Sequence, residues 1–288
     1  MPRASNPKFP ASSAIPSSAA SPAATAPQLF VGTSGWAYPT WKPGFYPASV
    51  SARSFLNYYA SQLTAVEVNY TFRTLPSPAQ LENWLAATPP GFRFSFKAPQ
   101  HITHFARLRD CESLVESFLA SIAPTRSVGK LGPLLFQLPP NFAVDRDRLA
   151  RFLAIPALRA GSAPPIAFEF RHPSWFTDEI FALLREHNTA LCVAESDELA
   201  TPDVRTAPHR CYRLRRSGGY TEAELHTLAR RFASLAREGE VFVFLKHEDE
   251  PTGALNALAL QSRAAQSAAG QLAATKPPAP KIAPEPRR

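Results

Sequence analysis

From Phe30 to His247 the chain repeats one pattern. A short apolar run rich in Val, Ile, Leu and Phe, often bounded by Gly or Pro, closes on polar or charged residues. A stretch with helical apolar spacing then follows. The runs predict strands over 29–34, 64–70, 92–97, 132–138, 165–171, 190–195, 210–215 and 241–246. The stretches between them predict helices near 52–63, 78–88, 111–122, 145–154, 178–188, 222–238 and 254–266, the last ending near Gly270. Start signals sharpen several of these. Ser77, Pro78 and Gln80 supply an N-cap, a proline at the first helical position and a capping-box partner. Thr221 with Glu224 is a second capping box, and Thr177 precedes Asp178 and Glu179 at the positive end of a helix dipole. Between the sixth and seventh strands, Asp197 to His209 carries two prolines and no helical pattern, which predicts a loop.

Strands alternating with helices predict a parallel sheet. Eight of them within roughly 220 residues fit a closed α/β barrel, the (β/α)8 TIM barrel, better than an open doubly wound sheet. That barrel is placed at 28–268 as a single domain. Residues 1–27 are Ala, Ser and Pro with a few polar residues and no apolar h-region, so they read as a disordered extension and not as a secretory signal. Acid-poor and Ser-rich, they share that much with a transit peptide, but their basic residues are only Arg3 and Lys8. Residues 269–288 read as a disordered Pro/Lys-rich tail.

Composition narrows the class. Hydrophobic residues make up 45% of the chain, enough for a large core. No apolar run reaches the roughly 18 residues of a membrane span, so no membrane association is expected. Cys111, Cys192 and Cys211 share no metal-binding spacing and are odd in number, which argues against a disulfide framework or structural zinc. A reducing, cytoplasmic setting fits them, with Cys192 and Cys211 as inert thiols inside strands. The net charge of +8, from 31 Lys and Arg against 23 Asp and Glu, favours anionic partners, although Arg-rich helix faces are also ordinary solvated surface. Neither a G-x-G-x-x-G after a strand nor a P-loop is present. Gly32-Thr33-Ser34-Gly35 is one residue short of a nucleophile elbow, which makes Ser34 a turn residue.

The candidate chemistry sits where the strands end, because parallel barrels collect those ends on one face. Alternation puts Glu67, Asn69 and Thr71 on one side of their strand; Ser95 pairs with Lys97, Glu169 with Arg171, and Arg213 with Arg215 in the same way. The opposite side must face apolar helices, so these residues are expected to point inward, where charges need partners. One reading is an anion pocket, with guanidinium forks clamping phosphate or carboxylate. Glu67 and Glu169 are then acid/base candidates, and Lys97 is an acid or an electrostatic stabiliser. The plainer reading is a salt-bridge network closing the barrel top.

Other features admit two readings each. His101 and His104 are spaced like a metal pair without an evident third ligand, which leaves a divalent metal open but predicts no cofactor. His172 and His247 are general-acid or capping residues. The Glu248-Asp249-Glu250 run is a solvated loop or a cation site. Trp36, Tyr38, Trp41, Phe45 and Trp175 either stack on a sugar or base at the mouth or simply cover the barrel.

Several ordered blocks resemble one known family. Val31-Gly32-Thr33-Ser34-Gly35-Trp36-Ala37-Tyr38, then Trp41 and Tyr46-Pro47, look like the opening motif of the YecE-like domain-of-unknown-function family. The likeness continues through Val66-Glu67-Val68-Asn69, Phe72, Trp84, Phe94 to Pro99, Thr103-His104, Leu131 to Pro140, and Glu169-Phe170-Arg171-His172 with Trp175. It covers residues 29–262 and implies a TIM barrel, but no established reaction. The chain departs from the family pattern at Tyr70, at Arg73, at Arg213-Leu214-Arg215-Arg216 and at Lys246-His247-Glu248, which suggests a sub-branch with a more basic mouth.

Three functions follow as expectations. The first is an enzyme, a hydrolase or isomerase, acting on a small phosphorylated or anionic substrate. Glu67, Glu169 and Lys97 would carry the chemistry. Trp36, Asn69, Gln137, Arg171, His172, Arg213, Arg215 and Lys246 would bind the substrate. The second is a non-catalytic binder of nucleic acid or nucleotide, and the third is metal-assisted hydrolysis using His101, His104, Glu67 or Glu169. Oligomeric state is not legible in the sequence.

Overall fold

A computed structural model describes residues 28–159, 163–195, 199–246 and 249–274. The expected tails at 1–27 and beyond 274 lie outside the described residues, as do Ser196, Asp197, His247 and Glu248. Eight strands form one all-parallel sheet: β1 (Leu29–Thr33), β2 (Ala65–Val68), β3 (Arg93–Lys97), β4 (Leu131–Gln137), β5 (Ile166–Glu169), β6 (Ala190–Glu195), β7 (Arg210–Leu214) and β8 (Val241–Leu245). From β2 to β8 each strand pairs with the next, and β8 pairs with β1, so the sheet curls into the expected (β/α)8 barrel.

The seam between β1 and β2 is made differently. A single parallel bridge joins Ser34 to Glu67. Below it the Tyr59 hydroxyl accepts from the Thr33 amide at 2.8 Å and donates to the Ala65 carbonyl at 2.9 Å. The Thr64 hydroxyl accepts from the Val31 amide at 2.9 Å. Gly32 is required here, because a Cβ would meet the Ala65 carbonyl oxygen at 1.9 Å.

Helices α1 (Phe55–Gln62), α2 (Pro78–Ala86), α3 (Glu112–Ser127), α4 (Arg146–Leu153), α5 (Pro156–Arg159), α6 (Asp178–Glu186), α7 (Glu222–Leu235) and α8 (Thr252–Ala274) cover the outside. The start signals act as expected. Ser77 accepts from the Gln80 amide, Thr177 from the Ile180 amide, and Thr221 with Glu224 completes a capping box. Two ends differ from expectation. Helix α3 continues through Pro124, and Thr125 and Ser127 return their hydroxyls to the Ile122 and Ala123 carbonyls. Helix α8 runs past Gly270, because the Ala-rich sequence keeps helix propensity on both sides of it. The stretch 199–209 has no helix, as its prolines predict.

Strand alternation sorts the core into two parts. Outward residues such as Val66, Phe94, Phe136, Phe168 and Val243 pack against the helices. Inward residues are mostly small, Ala65, Ala167, Ala190, Cys192 and Cys211, and they leave room for Phe30, Phe242 and Phe244. Phe30 stacks on Phe242 at 4.8 Å, which plugs the barrel floor. All three cysteines are free and buried. The interior is therefore dry below and charged only at its top.

Candidate active site

The inward position at the end of each strand supplies the site. Lys97 ends β3, Gln137 ends β4 and Glu169 ends β5, while Glu67 and Arg213 each lie one residue before the end of β2 and β7. Glu67, Glu169 and Arg213 are completely enclosed. Arg213 is the hub. Its Nε and Nη2 donate to both oxygens of Glu67 at 2.8 and 2.6 Å, and its Nη1 donates to Glu169 Oε2 at 2.5 Å. The other Glu169 oxygen accepts from Gln137 Nε2 at 2.9 Å and from Arg171 Nε. Ser34 Oγ donates to Glu67 Oε1 at 2.9 Å and accepts from Arg215 Nη1 at 2.9 Å. Tyr38 donates to the Ser34 carbonyl and fixes the β1 end of this network.

Burial by itself raises the pKa of both carboxyls, but the Arg213 guanidinium overcomes it. Glu67 lies below its ordinary value, and Glu169 is held down to about 2 with further help from Arg171. Carboxylates so placed stay ionised at neutral pH and are not poised to exchange protons there.

Lys97 differs. Its Nζ lies 4.0 Å from the Phe72 ring centroid, and no carboxylate among the described residues forms an ion pair with it. Burial, then the nearby Arg213, pulls its pKa down to about 8. Burial and Arg213 also lower Arg215, to about 10.

Over the network opens a cavity of about 450 Å³, walled by Lys97, Gln137, Arg171, Arg213 and Arg215, with Asn69 and the Tyr70–Thr74 turn along one side. Beside it, sharing Asn69 and Tyr70, lies a second cavity of about 940 Å³ walled by Trp36, Tyr38, Tyr70 and Trp84.

The family described as "Protein of unknown function DUF72" matches residues 30–283. The chain belongs to the DUF72 family. It is 32% identical over 148 residues to the UPF0759 protein YecE of Escherichia coli, and 29% identical over 157 residues to the UPF0759 protein YunF of Bacillus subtilis. These matches cover 51% and 53% of this chain, and the chain spans about half the length of each of these curated relatives, 50% and 54%. The crystal structure of a DUF72 family protein from Thermotoga maritima superposes with a TM-score of 0.71 at 30% identity, over 82% of this chain and 98% of that one. A DUF72 family protein from Enterococcus faecalis superposes at 0.69 over 82% and 95%, and at 21% identity it speaks for the fold alone. The resemblance carried by the sequence blocks is thus confirmed.

In this DUF72 barrel most of the expected site residues converge. Glu67, Lys97, Gln137, Glu169, Arg171, Arg213, Arg215 and Asn69 all reach the network or the cavity above it. Three lie elsewhere. His172 caps the turn after β5, its Nδ1 accepting from the Ser174 amide at 3.2 Å. Lys246 stands beside Ser217 and not on the anion cavity wall. Trp36 lines the second cavity, edge-on to Trp84 at 5.3 Å. Ser34, read as a turn residue, is a buried member of the network, and its strand register with Phe30 and Gly32 is the signal that points to it.

His101 and His104 belong to a single π-helical turn. His104 bonds Thr103 and packs edge-on to Phe72, and His101 packs edge-on to Phe105. Among the described residues no three His, Cys, Asp or Glu side chains gather as a metal-binding group. Also among them, no helix is long and apolar enough to cross a membrane.

The depressed carboxyls predict an acid-labile top to the barrel. Their contribution is complete above the unfolded carboxylate pKa, near 4.3, and is lost as pH falls toward 2. A Glu169→Gln variant should be clearly weaker than the parent at pH 7 and approach it as pH nears 3, as read by urea midpoints. A gap that stays constant with pH would contradict the assignment.

Proposed function

We propose that the cavity above Arg213 binds the anionic end of a small phosphorylated or carboxylated molecule, and that the protein is an enzyme acting on it. One observation carries this reading. Five cationic residues, Arg73, Lys97, Arg171, Arg213 and Arg215, line the cavity against two nearby carboxylates, Glu67 and Glu169, and both carboxylates are bound to Arg213 below the cavity floor. The surplus positive charge faces open space, which a purely structural network has no reason to provide.

Roles follow from position. Arg171 and Arg215 supply forked donors to the anion. Asn69 and Gln137 orient the rest of the molecule. Lys97 is the group that moves a proton, because its amine changes charge close to neutral pH. Glu67 and Glu169 hold Arg213, and through Glu169 Arg171, in place.

The test uses sulfate, whose own charge is constant between pH 6 and 9.5, titrated calorimetrically at fixed ionic strength. Saturable binding is expected, and it should weaken as pH rises through about 8, where Lys97 loses its proton. A Lys97→Met variant should bind about 10- to 100-fold more weakly at pH 7, the worth of one charge-assisted contact, and show no step near pH 8. If neither sulfate nor ribose 5-phosphate binds the parent saturably, the proposal is wrong.

A further inference from the structure

The second cavity adjoins the first, and Asn69 and Tyr70 stand in the wall of both. Their linings differ in character. The first is mainly cationic, with Tyr70 and Phe72 along one side. The second is mainly aromatic, with Trp84 edge-on to Trp36 at 5.3 Å and to Tyr70 at 6.2 Å, and Arg53, Gln80 and Asn83 add polar groups to its wall. Tyr70 is 47% exposed, so its ring is open to a molecule in the cavity.

At the junction sits a polar atom with no partner. Asn69 Oδ1 is buried and accepts no hydrogen bond within the protein. A buried acceptor left unpaired is costly, and a bound N–H or O–H donor would relieve that cost. The two cavities together therefore ask for an anion at one end, a flat ring at the other, and a donor between them.

We infer that the ligand is a nucleoside monophosphate, with its phosphate between Arg171 and Arg215, its ribose hydroxyl donating to Asn69 Oδ1, and its base against Tyr70, Trp36 and Trp84. The inference rests on the anion site proposed above and deepens it. Stacking on aromatic rings is tolerant of base identity, and the Gln80 and Asn83 amides can read a base edge. The ring walls distinguish this ligand from a bare sugar phosphate, which would leave the larger cavity empty.

The experiment compares adenosine, guanosine, cytidine and uridine 5′-monophosphates with ribose 5-phosphate and with adenosine, by calorimetry and by tryptophan fluorescence. At least one nucleotide should bind tenfold or more tightly than ribose 5-phosphate and quench the tryptophans. Tyr70→Ala, at an exposed position, should remove that advantage, weakening the nucleotide far more than ribose 5-phosphate. Asn69→Ala should weaken both ribose-containing phosphates more than it weakens sulfate.

If no nucleotide exceeds ribose 5-phosphate, or if the advantage survives Tyr70→Ala, the inference fails and the anion site stands. If sulfate and ribose 5-phosphate also fail to bind, both readings fall. A single-stranded oligonucleotide binding far more tightly than every mononucleotide, with a steep salt dependence, would replace the small ligand with a polymer.

Discussion

Replacing Arg213 with methionine is expected to destabilise the barrel by roughly 3–5 kcal/mol or more at pH 7. The variant leaves Glu67 and Glu169, both fully enclosed, facing each other without their shared cation. Breaking a buried pair costs much more than never having had one, because the abandoned charge cannot reach water. Arg171 and Gln137 still touch Glu169, but among the described residues Glu67 keeps only the Ser34 hydroxyl as a hydrogen-bond partner. For a barrel of this size the loss corresponds to a drop of roughly 10–20 °C in Tm. Two further measurements separate charge from shape. The deficit should shrink as pH falls and the carboxyls take up protons. It should also shrink when Glu67→Gln and Glu169→Gln are added to Arg213→Met. An Arg213→Met protein as stable as the parent at neutral pH would mean that the network does not hold the barrel top.

The second large effect is on binding. Arg171→Met combined with Arg215→Met should weaken sulfate or ribose 5-phosphate by about 10²- to 10⁴-fold, each guanidinium contributing roughly 1.5–3 kcal/mol to a charge-assisted contact. Stability should change less, because Arg213 keeps both carboxylates, while Arg171 gives up one bond to Glu169 and Arg215 one to Ser34. Arg146→Met, at an exposed ion pair with Glu179, is the control for net charge. Equal losses in the control and the double variant would reduce the pocket to general surface electrostatics, and no loss in either would remove Arg171 and Arg215 from the site.

Much of this was legible in the sequence because strand periodicity is strict. Once β2, β5 and β7 are recognised, residue parity alone sends Glu67, Glu169 and Arg213 inward, and charge alone then pairs them. What parity does not give is depth. Glu67 and Glu169 were read as acid/base candidates, yet they sit under the guanidinium of Arg213, while Lys97 stands above it at the cavity wall. The aromatic cavity was also only half visible. Trp36 and Tyr70 follow strand ends, but Gln80, Asn83 and Trp84 come from helix α2, and no short spacing announces which face of an outer helix leans over a barrel mouth. His172 and Lys246 follow strand ends as well, and local turn geometry, not parity, directs them away from the anion cavity.

Tyr59 is the remaining instance of a side chain doing another group's task. Its phenol stands in for a rung of backbone hydrogen bonding between the first and second strands, from a position on a neighbouring helix. Phenylalanine there would keep the ring's apolar contacts and still strand an amide and a carbonyl in the dry interior. Tolerance at that helical site is therefore governed by one oxygen, and a hydrophobicity scale would misjudge it.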